Sequence, residues 1–283
     1  MNAQDAVTAP EAGAVLHFAY GRHEKTGIRY VRFGQGPRTM AVIPGLSLSF
    51  VTDAGEALAE LFADFTETYT VYLFDIREEV PEGYTIHDMG DDLACAMTEL
   101  GLDRLFLFGC SMGGMEALYV AGAYPQLVEK VAVAATTYRA NESSRRAIGK
   151  WIRLAEEGKA RELTADMGQM LYSPAVFQAG RESFAAMAEG LTAPMLSRFA
   201  RTARVMMPLD LTRETAAIRC PVLVLGSFGD RVMTAEASRD IAALTGGELY
   251  LYGEAYPHAF YDEAPDVRSR VKSFFDQPAA PRP

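Results

Sequence analysis

One stretch of the chain, GCSMG at residues 109–113, has the form Gly-x-Ser-x-Gly. It ends the apolar run LFLFGC and precedes a stretch of helical period, so its serine lies at a predicted strand-to-helix turn. A nucleophile on such a turn has strained backbone angles, and small neighbours let strand and helix approach closely. The helix N-terminus at Ser111 would also favour negative charge. We therefore predict that Ser111 is a nucleophile, although small residues also join strands to helices without any chemistry.

Cys110, the residue before this serine, is the rival nucleophile. It occupies the first x position of the motif, whose side chain should point into the core. Buried cysteines usually behave as small apolar residues, so we assign Cys110 a packing role.

A serine hydroxyl needs a base, and the base needs an acid that orients it. The chain has four histidines. His17 and His23 fall in the first predicted hairpin, and His87 opens a helix, where a capping or surface role is simpler. His258 lies in GEAYPHAFYDEAP, the loop after the last predicted strand. Because such loops line the site of an open parallel sheet, His258 is the predicted base.

Asp230 is the predicted acid, since it comes directly after the apolar strand PVLVLGS. The order Ser111, Asp230, His258 is the one found where the nucleophile lies on a strand-to-helix turn. An ordinary Gly-Asp turn is the alternative explanation, and Asp210 would then be the fallback acid.

Acyl transfer also needs hydrogen-bond donors for an oxyanion. The residue after the nucleophile supplies one, which makes the backbone N–H of Met112 a candidate. The second should come from the loop after the strand TMAVIPG, where the segment PGLS makes the N–H of Leu46 the candidate. This segment alone would suggest only a Pro-Gly turn, and the motif at Ser111 favours the oxyanion role.

The elements that would position these residues alternate along the chain. Two alternating segments, AVLHFAY and IRYVRFG, predict an antiparallel hairpin at the start. Stretches of helical period separate most of the later strands, so we predict an α/β fold with a doubly wound, mostly parallel sheet of eight strands. Six runs are apolar on both faces, as strands covered by helices must be: TMAVIPG, YTVYLFDI, LFLFGC, EKVAVAAT, PVLVLGS and ELYLYGE.

The alternation stops after the strand EKVAVAAT. Four stretches of helical period follow without a strand, and together they are too long for one crossover and too helical for a loop. We therefore predict a helical cap inserted into the sheet domain. The predicted boundaries are 1–14 for a disordered lead-in, 15–138 and 211–276 for the core, 139–210 for the cap, and 277–283 for a flexible tail.

Composition excludes several function classes. The chain has 283 residues, 49% of them hydrophobic, enough for one large domain with an insertion. No apolar run reaches the ~18 residues of a membrane helix, and the N-terminus lacks the pattern of a signal peptide. Three cysteines without metal-like spacing fit a reducing compartment, and a net charge of −10 argues against a nucleic-acid surface. We expect a cytoplasmic protein without a membrane span, and the sequence leaves open whether it forms a homo-oligomer.

The cap has a different charge balance from the rest of the chain. Residues 139–207 include 11 basic and 7 acidic side chains. A basic cap could steer an anionic substrate, although solvated helix faces with i,i+4 ion pairs are the simpler explanation. Methionine and aromatic side chains would give the site an apolar ceiling, and core packing explains each of them equally well. These residues are Met167, Met170, Tyr172, Phe177, Met187, Met195 and Phe199.

From about residue 15 to 276 the sequence resembles the α/β-hydrolase superfamily, and most of all its cap-bearing esterases, enol-lactonases and carbon–carbon bond hydrolases. The turn at Ser111, the segment IRCPVLVLGSFGDRVMT at Asp230, and YPHAFYDEAPDVRSRVKSFF at His258 carry this resemblance. It implies an α/β-hydrolase fold with these three residues as the triad, and with Leu46 and Met112 at the oxyanion hole.

Three positions depart from the pattern of that superfamily. Pro44-Gly45 stands where His-Gly is usual at the oxyanion turn. The glycines expected after Asp75-Ile76-Arg77 are replaced by EEVPEGYT, and Pro257 replaces the glycine that commonly precedes the histidine. No catalytic group is lost, and the subfamily remains open.

The leading hypothesis is a serine hydrolase that cleaves a small to medium ester, lactone or thioester through an acyl-enzyme on Ser111. No metal or organic cofactor is implied. Acyl transfer to another acceptor, carbon–carbon bond hydrolysis and peptidase action on a short substrate would use the same triad. A non-catalytic ligand-binding module on a retained hydrolase fold is the alternative from another class.

Overall fold

The strands form where the sequence has short apolar runs, and they join into one eight-stranded sheet. The structure is a computed structural model that describes residues 18–278. The order across the sheet is β1-β2-β4-β3-β5-β6-β7-β8. The strands are β1 Ala19–Arg22, β2 Ile28–Phe33, β3 Arg38–Ile43, β4 Tyr69–Arg77, β5 Leu105–Cys110, β6 Val128–Ala134, β7 Val222–Ser227 and β8 Glu248–Tyr252.

The pairing confirms the predicted mostly parallel sheet. β1 and β2 form an antiparallel hairpin, β2 pairs antiparallel with β4, and every pair from β4 to β8 is parallel. The central strands β5 and β6 are buried along their whole length, which explains why their sequences are apolar on both faces. His17 and the predicted lead-in 1–14 lie outside the described residues, as does the predicted tail from residue 279.

Helices cover both faces of the sheet and create two hydrophobic clusters. One cluster includes Leu93, Leu107 and Leu118, and the other includes Phe106 and Phe275. None of the helices in the described part of the chain is long and apolar enough to cross a membrane. The helices are α1 Gly55–Glu60, α2 Ile86–Glu99, α3 Met112–Ala123, α4 Glu142–Glu156, α5 Ala160–Leu171, α6 Pro174–Ala179, α7 Arg181–Gly190, α8 Ala193–Arg204, α9 Thr212–Ala217, α10 Ala235–Thr245, α11 Phe260–Glu263 and α12 Val267–Asp276.

The helical insertion lies between β6 and β7, where the sequence predicts it. It contains α4 to α8, and α4 begins with a capping box in which Asn141 Oδ1 accepts from the Ser144 N–H at 2.8 Å. The two ends of the insertion run side by side, since Arg139 and Asp210 form an antiparallel bridge and the Leu211 N–H donates to Tyr138 O at 2.8 Å. This narrow neck supports 139–210 as the proposed boundaries of the cap.

Candidate active site

Ser111 lies on a strained turn between β5 and α3. Its φ of 53° and ψ of −119° fall where residues with a side chain are rare. The Ser111 N–H donates to Ala134 O at 2.9 Å, and Thr136 Oγ1 donates to Ser111 O at 2.7 Å. These two bonds to β6 and the residues after it hold the strained backbone in place.

Two glycines let the strand, the turn and the helix come together. A Cβ on Gly109 would lie 2.4 Å from Gly113 O, and a Cβ on Gly113 would lie 2.2 Å from Ile43 O. Both distances are far below contact, so only glycine fits at these positions. The glycines of the motif are therefore explained by close backbone approach around Ser111.

His258 connects the serine to the predicted acid. Its Nε2 lies 3.0 Å from Ser111 Oγ, and its Nδ1 lies 2.9 Å from Asp230 Oδ2. When Nδ1 carries the ring proton and donates a hydrogen bond to the carboxylate, Nε2 is free to accept the proton of the Ser111 hydroxyl. All three side chains are buried. The structure thus brings together the three residues that the sequence singled out, in the geometry of a Ser-His-Asp triad.

Asp230 is held in its ionised form. Burial opposes ionisation, but the His258 imidazole and the N–H groups of Val232 and Met233 outweigh it and hold the pKa of Asp230 below its ordinary value. These N–H groups donate to Oδ1 at 2.8 and 2.9 Å. The fallback acid Asp210 is exposed in the neck of the cap and accepts from the Thr212 N–H at 3.0 Å.

The other sequence candidates lie in different surroundings. Burial, with a contribution from the charge of Asp262, raises the pKa of the Cys110 thiol well above its usual range. A thiol that resists ionisation is a poor nucleophile, which supports a packing role. His87 is partly exposed 3.7 Å from Glu214 Oε1, and His23 is hydrogen-bonded to Thr26 on the β1–β2 hairpin.

The predicted oxyanion turn passes directly beside the serine. A Cβ on Gly45 would lie 3.0 Å from Ser111 Cβ and 3.6 Å from its Oγ. Leu46 follows this glycine in the loop after β3. Met112 is the first residue of α3, and an N–H at this position has no acceptor within its own helix.

A largely apolar cavity of about 240 Å³ adjoins this turn. It is lined by core-domain residues of the loop after β3, α1, the end of β5 and the segment after His258, including Leu46, Leu58, Phe62, Cys110 and Tyr261. The predicted apolar ceiling is not part of this cavity. Met167 and Phe199 of the cap instead belong to the larger hydrophobic cluster, so core packing accounts for them.

The cap contacts the histidine loop directly, a feature that sequence reasoning missed. The N–H of Ala259, the residue after the histidine, donates to Leu171 O at 2.8 Å. The Ser173 N–H donates to Glu263 Oε1 at 2.7 Å, and Arg231 Nη2 donates to Gln169 O at 3.0 Å. The end of α5 therefore helps to hold the loops that carry both the base and the acid.

Glu116 is a second feature that sequence reasoning missed. It lies one turn after Met112 on α3, is 5% exposed, and its Oε1 has no hydrogen-bond partner among the described residues. Burial, and then the charges of Asp75 and Asp92, raise the pKa of Glu116 to about 8. A cavity of about 10 Å³, roughly the space of one water molecule, separates it from Gly45 and Asp75. The signal in the sequence is a single acid in an otherwise apolar helix, SMGGMEALYVAGA.

Arg198 of α8 is a buried cation beside the loop after β3. Its side chain packs against Phe50 of the β3 loop, with the guanidinium carbon 3.9 Å from the ring centroid. Burial lowers the pKa of Arg198, and the charge of Asp75 opposes this effect. Its Nη1 is buried without a hydrogen-bond partner among the described residues.

Comparison with known proteins identifies a family. The alpha/beta hydrolase fold model matches residues 42–264. A putative carbamate hydrolase, RutD of Pantoea ananatis, is 29% identical over 66% of this chain and 69% of that protein. The RutD of Serratia proteamaculans is 40% identical, but over 20% of this chain and 21% of its own length. The 3-oxoadipate enol-lactonase 2 of Acinetobacter baylyi is 23% identical over 75% of this chain and 79% of that protein.

Solved structures show the same architecture. MGS-M2, an alpha/beta hydrolase enzyme from a deep-sea metagenome library, superposes with a TM-score of 0.81 at 20% identity, over 92% of this chain and 98% of that one. The enol-lactonase from Burkholderia xenovorans gives 0.77 at 19% identity, over 92% and 100%. At these identities the likeness concerns the fold, and it confirms the predicted α/β-hydrolase architecture with a helical insertion.

The first prediction concerns the acid. We expect Asp230→Asn to lower kcat for a chromogenic ester ~10⁴-fold, because an amide would favour the wrong imidazole tautomer. Steady-state kinetics measure this loss, and circular dichroism checks that the variant is folded. Asp210→Asn is the matched control and should keep near-full activity. A large loss in the control with activity retained in Asp230→Asn would move the acid role to the neck of the cap.

The second prediction concerns Glu116. The folded protein keeps this proton up to about pH 8, whereas the unfolded chain releases it near 4.5. The free energy of unfolding of the wild type should therefore fall as pH rises between these values, by at most ~1.4 kcal/mol per pH unit, relative to Glu116→Gln. Urea titrations of both proteins across this range measure the difference. A constant difference would show that Glu116 is ionised in the folded state.

Proposed function

Because the chain belongs to the alpha/beta hydrolase fold family, we propose that it is a serine hydrolase for small to medium carboxylic esters, lactones or thioesters. The observation that carries this proposal is the position of His258, within hydrogen-bond distance of both Ser111 Oγ and Asp230 Oδ2. A serine with an oriented base can act as a nucleophile towards an acyl carbonyl.

The proposed reaction follows from this geometry. Ser111 Oγ attacks the carbonyl carbon while His258 Nε2 takes the hydroxyl proton, and Asp230 stabilises the imidazolium. The N–H groups of Leu46 and Met112 donate to the oxyanion. The tetrahedral intermediate then expels the leaving group, which receives the proton from His258. Water activated by the same imidazole releases the acyl group and restores the serine.

The cavity beside the oxyanion turn is the proposed acyl pocket. Its lining is mainly apolar, and its volume of about 240 Å³ fits a compact acyl group. Each buried methylene adds ~0.8 kcal/mol, so affinity should rise a few-fold per carbon until the pocket is full. We therefore propose small to medium, partly apolar acyl groups as substrates.

The names of the relatives agree with an acyl carbonyl as the group that is attacked. Carbamates and enol-lactones both present a carbonyl carbon bonded to a heteroatom, which is the bond that the proposed triad would attack. The buried guanidinium of Arg198, with an N–H that lacks a partner among the described residues, supports the proposal that some substrates are anionic.

The third prediction tests the nucleophile and the function together. A fluorophosphonate probe should label the wild type and Cys110→Ala, and it should not label Ser111→Ala. Intact-protein mass spectrometry measures the labelling. A panel of neutral and carboxylate-bearing chromogenic esters, lactones and aminoacyl amides then defines the substrate class, and product analysis with a competing alcohol separates hydrolysis from acyl transfer. Absence of labelling in the folded wild type would favour a non-catalytic binding module.

The fourth prediction concerns the acyl pocket. Leu58→Trp should shorten the preferred acyl chain, because the larger side chain fills the cavity beside Leu46. The profile of kcat/KM against acyl length measures the shift, and probe labelling of Ser111 should remain. Met170→Ala in the cap is the control, because Met170 does not line this cavity. If Met170→Ala shifts the profile and Leu58→Trp does not, the acyl group binds under the cap instead.

A further inference from the structure

His23, Cys95 and Glu99 form a cluster away from the triad. His23 lies in the turn between β1 and β2, and the other two residues lie one turn apart on α2. An imidazole nitrogen, Sγ and a carboxylate oxygen of these residues all lie within 4.8 Å of one another. We propose that this cluster is a binding site for a divalent metal ion that accepts nitrogen, sulfur and oxygen ligands, with Zn²⁺ as the best match.

The distances between the donor atoms suit such an ion. His23 Nε2 lies 2.9 Å from Glu99 Oε2, and Cys95 Sγ lies 3.6 Å from Glu99 Oε1. In a tetrahedral zinc site, bonds of 2.0–2.3 Å place neighbouring ligand atoms roughly 3.3–3.8 Å apart. Since every pair of donor atoms lies within 4.8 Å, closing on one ion takes movements of about 1 Å. The Glu99 side chain can supply them because half of its surface is accessible.

Thr26 fixes the position of the histidine ring beside the Glu99 carboxylate. Thr26 Oγ1 lies 2.8 Å from His23 Nδ1, and both residues are buried. In the structure Nε2–H donates to Glu99 Oε2, because a carboxylate can only accept, and the Thr26 N–H donates to Nδ1 at 3.4 Å. Metal binding at Nε2 displaces its proton and leaves the ring proton on Nδ1, where Thr26 Oγ1 can accept it. Metal-binding histidines commonly have their second ring nitrogen fixed by such a hydrogen bond.

The chemistry of the donor set selects the class of ion. A neutral imidazole, a thiolate and a carboxylate together carry two negative charges, which balance a divalent cation. Magnesium and calcium prefer oxygen ligands alone, whereas zinc binds all three donor types. Binding converts the Cys95 thiol to a metal-bound thiolate and releases its proton to solvent. Water would occupy the fourth position.

Lys25 competes with the metal for the carboxylate. Its Nζ donates to Glu99 Oε1 at 3.3 Å, and 70% of its side chain is exposed. The ammonium group must move into solvent when a cation binds, because both are positive. Removal of this lysine should therefore strengthen metal binding, whereas removal of a ligand should weaken it.

The site would connect the β1–β2 hairpin to α2. The β1–β2 hairpin lies at the edge of the sheet, and α2 covers one face of it. An ion bound only by the folded chain stabilises the fold by mass action. The sequence gives no metal motif, because His23 and the α2 ligands are distant in the chain and only the fold brings them together.

The experiment uses tag-free protein freed of metal by a chelator. Calorimetric titration with Zn²⁺ should give one site per chain, and Co²⁺ should produce a near-ultraviolet charge-transfer absorption from a thiolate ligand. Cys95→Ser should abolish that absorption and weaken Zn²⁺ binding at least ~10-fold, and Thr26→Val should weaken it ~10-fold. Lys25→Ala should strengthen it. Cys220→Ser and His87→Gln are the matched controls and should behave as the wild type.

The proposal is overturned if the wild type binds Zn²⁺ no more tightly than Cys95→Ser, or if the cobalt absorption survives that substitution. Circular dichroism establishes that each variant is folded. Should Cys95→Ser fail to fold, the isosteric Glu99→Gln makes the same comparison at an exposed position. None of these measurements depends on catalysis, so their outcome is separate from that of the proposed hydrolase activity.

Discussion

The strained backbone of Ser111 is the constraint on which the rest of the site depends. A φ of 53° at a residue with a side chain costs free energy, and neighbouring structure must supply it. Hydrogen bonds to Ala134 O and from Thr136, together with close contacts possible only for Gly109 and Gly113, do so. The resulting turn directs the hydroxyl to the carboxyl edge of the sheet, where the loops after β3, β7 and β8 begin.

The helical insertion contacts the two loops that carry the proposed base and acid. The Ala259 N–H donates to Leu171 O, and the Arg231 side chain donates to Gln169 O; these donors flank the base and the acid. A cap that moved away would break these bonds and loosen both loops. The end of α5 therefore helps to align the base and the acid of the proposed triad.

Sequence patterns predicted the sheet, the insertion and the three triad residues, because each depends on local periodicity or on chain order. Ser111, Asp230 and His258 each follow a strand, and parallel strands bring their carboxyl ends to one edge. The surroundings of Glu116 and the contact between α5 and the histidine loop could not be predicted. They depend on distances between segments that are far apart in the chain, which periodicity does not encode. The location of the proposed acyl cavity depends on packing in the same way.

Two buried carboxyl groups near the serine illustrate why environment matters more than residue type. Asp230 receives two backbone N–H groups and an imidazole, so it ionises despite its burial. Glu116 receives no such donors from the described residues and lies near Asp75 and Asp92, so it keeps its proton up to about pH 8. The negative charge is thus placed beside the imidazole, where it stabilises an imidazolium. Behind the proposed oxyanion donors there is a neutral acid, and a carboxylate at that position would oppose the negative charge that develops on the substrate oxygen.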